Sequence, residues 1–181
     1  HSYYSDNISI TAGILGSYIN DNSSNFNLYP GFDLGYDLTA RHRVFASINK
    51  SLRLPTFTDL FYSGPKNIGN PELLPEEAMS VEAGFKYSNN YSKSSVSFFY
   101  RNSENLIEWV RHKDSLETSK WMTQNLTSVA TIGVQFSYSM DVKKKWKNQP
   151  VRSIVLNYSF IDQQVQSGKC DTKYSLNYLK H

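Results

Sequence analysis

The sequence predicts an all-β chain, arranged as an antiparallel up-and-down transmembrane β-barrel. Three observations carry that prediction. Apolar and polar residues alternate with period two over long stretches, the mark of strands whose two faces meet different surroundings. Aromatic residues make up 14% of the chain, with 13 tyrosines, which suits a surface apolar on one side and wet on the other. The mean hydropathy is low, -0.51, and no run approaches the ~20 apolar residues that a membrane helix requires. A barrel strand shows lipid only every second side chain, so its average hydropathy stays low.

The alternating segments lie near residues 6–18, 28–39, 43–54, 78–88, 94–111, 119–142, 151–165 and 174–181. In Gly31–Leu38, Phe32, Leu34, Tyr36 and Leu38 oppose Gly31, Asp33, Gly35 and Asp37. Val44, Ala46 and Ile48 follow the same rule, as do Val96, Phe98 and Tyr100. Between Ser80 and Tyr87, Val81, Ala83, Phe85 and Tyr87 oppose Ser80, Glu82, Gly84 and Lys86. Between Thr131 and Asp141, Ile132, Val134, Phe136, Tyr138 and Met140 oppose Thr131, Gly133, Gln135, Ser137 and Ser139. Ile154, Leu156, Tyr158 and Phe160 close the series. Connections at Ala40–His42 and Ser88–Lys93 are tight and polar; those around 19–27, 55–77, 112–118 and 166–173 are longer. Short turns alternating with longer loops describe a meander with unequal ends. No helical periodicity of useful length, linker or composition break interrupts it, so residues 1–181 are read as one unit.

On periodicity alone a soluble β-sandwich fits as well. Three features favour the barrel. Several strands are longer than the ~5–6 residues usual in globular sheets. The polar face is read as polar throughout, with Glu82, Lys86, Arg101 and Gln135 on it. Tyr18, Tyr87, Tyr100 and Tyr158 stand close to strand ends on the apolar face, where interface girdles sit. The face carrying Val81, Ala83, Phe85, Ile132, Val134, Phe136 and Tyr138 is therefore expected to meet lipid. Glu82, Lys86, Thr131, Gln135 and Ser137 are expected to face the lumen.

Residues 47–87 carry a more specific pattern. Ser51–Tyr62 reads SLRLPTFTDLFY, Gly69–Glu76 reads GNPELLPE, and the next strand places Ser80, Glu82 and Gly84 at alternating positions with Tyr87 three residues further on. This ordered series resembles TonB-dependent outer-membrane receptors. Asn102–Val110 and Trp121–Val134 resemble later barrel strands of that family. Within it, LRLPTFTDLFY and LIEWV resemble the vitamin B12 (cobalamin) receptors, although siderophore and haem receptors share the GNPELLPE-type stretch.

The resemblance implies residence in the bacterial outer membrane, in a barrel of roughly twenty-two strands. These residues would supply about eight consecutive strands and no plug domain. It implies import of a scarce bulky nutrient, cobalamin first and an iron chelate such as a siderophore or haem second. TonB would act through a plug outside this chain; outer-membrane lipid surrounds the wall, and some members add a surface lipoprotein. The alternative is a non-transporting outer-membrane barrel or a soluble β-rich binding module. The loop 55–77 is expected outside the cell, and the turns at 40–42, 89–93 and 143–150 in the periplasm.

No enzymatic constellation stands out. His1, His42, His112 and His181 are scattered without metal-ligand spacing, and neither a nucleophile elbow nor a P-loop is present. No cofactor or metal is expected. One cysteine, Cys170, allows no disulfide within the chain and reads as a bystander in a polar loop. A net charge of +3 is too small to imply nucleic acid. Lys143-Lys144-Lys145-Trp146-Lys147 reads as a solvated turn in preference to a lipid or nucleic-acid site.

The candidate ligand contacts are Phe57, Asp59, Phe61, Tyr62 and Asn70 in the long loop, with Trp109 and Arg111 at a strand end. Each has a structural alternative. Pro55, Pro65, Pro71 and Pro75 fix φ and remove donors, so the loop is expected to fold over the rim and not to extend the ladder. Phe57, Phe61 and Tyr62 are read as loop core in preference to ligand contacts. Trp109 and Trp121 fit membrane-interface anchors.

Overall fold

The computed structural model describes residues 1–19, 25–112, 119–146, 148, 150–166 and 170–172. Every alternating segment up to residue 165 is a strand. The long strands are β2 (Ile8–Ile19), β3 (Asn25–Thr39), β4 (His42–Arg53), β6 (Glu76–Ser88), β7 (Ser92–His112), β8 (Trp121–Asp141) and β9 (Ser153–Gln166). Short strands are β1 (Ser2–Tyr4), β5 (Asn67–Ile68) and β10 (Cys170–Thr172). Two short helices, α1 (Phe57–Phe61) and α2 (Val142–Lys145), complete the described elements. The sheet runs β1-β2-β3-β4-β6-β7-β8, with β9 pairing β8, β5 also on β8, and β10 on β7. The strand expected at 174–181 lies outside the described residues.

By contacts the chain divides into two compact units. The first holds His1–Lys50, Ser80–Tyr100 and Ile132–Ile161; the second holds Ser51–Met79, Arg101–Thr131 and Asp162–His181.

In the first unit the register fixes the two faces. Ile8↔Tyr36 through Ile19↔Asn25 joins β2 to β3, and Gly31↔Asn49 through Asp37↔Arg43 joins β3 to β4, with an irregularity between Asp37 and Thr39. Even-numbered residues therefore share one face, including Ile10, Phe32, Leu34, Val44 and Ile48. Odd-numbered residues share the other, where Arg43 Nη1 donates to both carboxylate oxygens of Asp37 at 3.1 and 3.0 Å and its Nη2 donates to Ser9 Oγ. Glu82 and Lys86 line the same cleft as Arg43, Asp33 and Ser9, so β6 continues that polar face. On the apolar face Val81, Ile132, Phe136 and Leu156 are exposed, and among the described residues no second sheet covers it as a sandwich would require.

The polar face is not polar throughout, contrary to the sequence reading. Phe45 and Phe99 also project from it, each lying over a glycine of the neighbouring strand. A Cβ on Gly84 would fall 2.5 Å from the Phe45 ring and 2.6 Å from Val96 O. At Gly133 it would collide with the Phe99 ring and lie 2.8 Å from Phe160 O. Lys86 Nζ caps the stack, 4.6 Å from the Phe45 ring centre.

Three local readings are corrected or confirmed. The basic residues Lys143, Lys144 and Lys145 are exposed, as a solvated turn requires, and the turn is helical. Asp141 caps it, its Oδ1 accepting from Lys144 N at 3.0 Å. Cys170 belongs to a strand rather than a loop, paired with His112. The turn after β6 is tight, as expected, and is closed by an Asx motif in which Asn89 Oδ1 accepts from the amides of Tyr91 and Ser92 at 3.0 and 2.7 Å.

Candidate functional site

The candidate residues gather in the second unit around the segment between β4 and β6. Thr56-Phe57-Thr58-Asp59 is a capping box. Asp59 Oδ2 accepts from Thr56 N at 2.9 Å and from Thr56 Oγ1 at 2.8 Å, and Asp59 N donates to Thr56 Oγ1 at 3.2 Å. This starts α1, a helix the apolar periodicity was too short to reveal. Four-residue spacing puts Phe57 and Phe61 on one side, ring centres 5.1 Å apart. They are not loop core: Phe57 is 78% exposed, Phe61 55% and Tyr62 47%.

The chain then folds back beneath α1. Gly69 N donates to Tyr62 O at 2.6 Å and Asn70 N to Asp59 O at 2.9 Å. Gly69 is required there, since a Cβ would lie 2.8 Å from the backbone of Asp59 and Leu60. Asn70 Oδ1 turns the chain by accepting from Glu72 N at 3.0 Å. The loop also joins the ladder, against expectation: β5 pairs in parallel with Trp121 and Met122. Trp121 N donates to Lys66 O at 2.9 Å, and Thr123 Oγ1, fully buried, donates to Asp59 O at 2.8 Å. The four prolines leave the intervening donors of Asn67 and Ile68 available, which is why a two-residue strand survives.

Asn125 on β8 fastens the GNPELLPE stretch. Its Oδ1 accepts from Leu74 N at 2.9 Å, and its Nδ2 donates to Leu74 O at 2.9 Å and to Asn105 O at 2.7 Å. Asn105 has φ 55, a left-handed conformation that asparagine tolerates. Glu76 closes the end of the stretch: its two oxygens accept from Arg53 Nη2 at 2.6 Å and Nε at 2.8 Å, and Oε1 also accepts from Ile107 N at 2.8 Å. A cleft of about 110 Å³ opens beside this pair, lined by Leu52, Arg53, Glu77, Arg101, Ser103 and Leu106 among others.

Of the residues named from sequence, Phe57, Asp59, Phe61, Tyr62 and Asn70 are brought together, and Trp109 joins them edge-on to Tyr62 at 6.2 Å. Arg111 sits instead over the Trp121 ring, 4.8 Å from its centre. Asp59 and Asn70 direct side-chain oxygens at backbone of their own loop, so they shape it; the aromatic rings are what it presents. Thr123, Asn125 and Glu76 were not anticipated. Thr123 and Asn125 do share one face of an alternating strand, but nothing in the sequence marks the distant carbonyls they hold. The ensemble presents exposed aromatic rings on a loop whose backbone is held by Thr123 and Asn125 of β8. Among the described residues no three His, Cys, Asp or Glu side chains gather as metal ligands. Among them, too, no helix is long and apolar enough to cross a membrane, which leaves crossing by strands open.

Comparison with known proteins places this geometry. The chain is 21% identical over 145 residues to the vitamin B12 transporter BtuB of Photobacterium profundum, covering 80% of this chain and 23% of that protein. It is 33% identical over 98 residues to BtuB of Vibrio vulnificus (strain CMCP6), covering 53% and 15%. It spans less than a quarter of the length of the curated relatives it matches. Among solved structures, the siderophore receptor PirA of Pseudomonas aeruginosa superposes with TM-score 0.68 at 16% identity, over 89% of this chain and 30% of that one. The FrpB iron transporter of Neisseria meningitidis (F3-3 variant) gives 0.64 at 16% identity, over 91% and 24%. These structural likenesses establish the fold, part of a larger barrel. The TonB dependent receptor-like β-barrel model matches residues 2–180, and the chain belongs to that family.

Proposed function

We propose that these residues form part of the wall and rim of a bacterial outer-membrane receptor that imports cobalamin under TonB drive. The observation that carries the reading is the loop built on α1. It presents Phe57, Phe61 and Tyr62 to solvent while its backbone is bound to β8 at Thr123 and Asn125. Aromatic surface held on a fastened loop lowers the ordering cost of binding a large rigid ligand. The curated relatives, each a vitamin B12 transporter, support cobalamin as that ligand. Phe57, Phe61, Tyr62 and Trp109 would supply contact surface, Arg111 a charge, and Asp59 and Asn70 the loop's shape. The polar face of β2 to β8 would line the lumen and the apolar face would meet lipid. The loop would lie outside the cell, and a plug outside these residues would receive TonB.

An iron chelate is the second reading, supported by the fold likeness to PirA and FrpB. Titration calorimetry of the full-length receptor in detergent, with cyanocobalamin and with ferric siderophores, separates them. Saturable cyanocobalamin binding is expected. Siderophore binding with no response to cyanocobalamin would overturn the ligand assignment. No binding to either, together with a parent gene lacking a plug, would overturn the receptor reading.

A further inference from the structure

In the first unit three turns lie side by side at one end of the sheet. Ser88 N donates to Arg41 O at 2.9 Å, Asp141 N to Tyr91 O at 2.8 Å and Val142 N to Arg152 O at 2.9 Å. These bonds align the turns that join β3 to β4, β6 to β7 and β8 to β9. Arg41, Lys143, Lys144, Lys145 and Arg152 are exposed along them. The one carboxylate among the described residues of these turns, Asp141, is engaged in capping α2. Beyond them Asp37 is paired with Arg43, and Asp6 lies before β2. Rings accompany the cations. Lys145 Nζ lies 4.4 Å from the Trp146 ring centre and 5.1 Å from that of Tyr91, and both rings are exposed. Tyr87 carries the apolar face of β6 to the same edge: its ring centre is 5.1 Å from that of His42, and its hydroxyl accepts from Asn89 Nδ2 at 2.9 Å. Amphipathic rings of this kind settle at the level of lipid headgroups, and long cationic side chains reach from them into the polar layer.

We propose that this edge docks the anionic phospholipid headgroups of the periplasmic leaflet, taking phosphatidylglycerol in preference to zwitterionic lipid. The inference rests on the receptor reading above. The turns follow β6 where the GNPELLPE loop precedes it, so a loop outside the cell puts them in the periplasm. Charge selects the headgroup: each Lys or Arg beside an anionic leaflet adds attraction, whereas a zwitterionic headgroup brings a cation of its own. Continuity selects a membrane, because the edge terminates the face on which Val81, Ile132 and Phe136 are exposed. A turn that met only water would need neither the single sign of charge nor the exposed rings around it.

The test uses the full-length receptor in phosphatidylcholine nanodiscs that carry a small fraction of a lipid with a diazirine near its headgroup, either phosphatidylglycerol or phosphatidylcholine. After irradiation, peptide mapping should find phosphatidylglycerol adducts at residues 88–93 and 142–152 about tenfold above those of phosphatidylcholine, as a preference of ~1.4 kcal/mol gives. Lys143→Gln with Lys145→Gln and Arg152→Gln should bring the two probes level. Adducts at residues 81–85 should stay unchanged, and the variant should still migrate as a folded barrel on unheated gels. Salt checks the charge without mutation: at ~1 M, where the Debye length is ~3 Å, the excess should vanish from the unaltered receptor. An epitope inserted at Asn148 should be beyond reach of antibody on intact cells. Equal yields from the two probes overturn the proposal, as does an excess that ignores salt or the substitutions, or one found only away from the turns. An Asn148 epitope reached from outside overturns it as well, and assigns these cations to lipopolysaccharide phosphate. Cyanocobalamin binding in the same nanodiscs keeps the two readings apart. Adducts without binding remove the ligand assignment alone, and binding without the adducts removes this proposal alone.

Discussion

Replacing Asn125 by alanine should release the GNPELLPE stretch without unfolding the barrel. The side chain makes three hydrogen bonds, two with the backbone of Leu74 and one to Asn105 O. Each such bond contributes ~0.5–1.5 kcal/mol net. The two to Leu74 are exposed, so water replaces them readily and they belong at the low end; the one to Asn105 is partly buried. The expected loss is then about 1–2 kcal/mol of local stability, or a factor of about 5–30 in the open population. Hydrogen exchange of the Leu74 amide in the detergent-solubilised full-length receptor measures this directly, with amides in the middle of β3 as internal control. Asn125→Asp should do more damage than Asn125→Ala. Its carboxylate keeps the acceptor for Leu74 N but faces Leu74 O and Asn105 O without a proton to offer. An Asn125→Ala receptor whose Leu74 exchange is unchanged, or an Asn125→Asp receptor indistinguishable from the parent, would refute the clamp.

Gly84→Ala should destabilise the barrel by ~1–3 kcal/mol, as overpacking does, and appear as a lower urea midpoint. Adding Phe45→Ala should not restore it, because Val96 O remains 2.6 Å from the new Cβ; full rescue would contradict the geometry. Arginine at Phe85 or Val134 should cost ~2–4 kcal/mol near the midplane of the bilayer, and at Glu82 or Gln135 far less. Equal tolerance on both sets in a folding assay would reverse or abolish the face assignment. Phe57→Ala with Phe61→Ala should leave the unfolding free energy within about 0.5 kcal/mol, as exposed substitutions do, yet weaken cyanocobalamin binding. Unchanged affinity would remove these rings from the ligand surface.

The strand course was legible because a barrel wall must show two environments at once, and period two writes them into consecutive residues. What escaped reading was whatever departs from that rule. Phe45 and Phe99 sit within otherwise apolar runs, Val44–Ala46 and Phe98–Tyr100, where alternation cannot tell which ring faces which way. The helix α1 is five residues long, below any useful periodicity, though Thr56-x-x-Asp59 carried its cap in plain view. The pairing of Asn67 and Ile68 with β8, and the grip of Asn125 on Leu74, join residues about fifty positions apart that no local pattern connects. Phe57, Phe61 and Tyr62 could be picked out together because they cluster in sequence. Their exposure was misjudged because burial of a loop ring depends on partners from distant strands.

The rings lying over Gly84 and Gly133 bear on how the strands find their alignment. A slip of one residue is forbidden by polarity, since it turns every apolar side chain toward water. A slip of two passes that test, because each residue keeps its face. Phe45 and Phe99 close this gap. Moved two places along β6, Phe45 would meet Glu82 or Lys86 instead of the bare backbone of Gly84, and Phe99 would meet Thr131 or Gln135 instead of Gly133. Each ring and its glycine thus act as a key and slot between neighbouring strands. Hairpins exchanged between related receptors should assemble in register only when the key and the slot travel together.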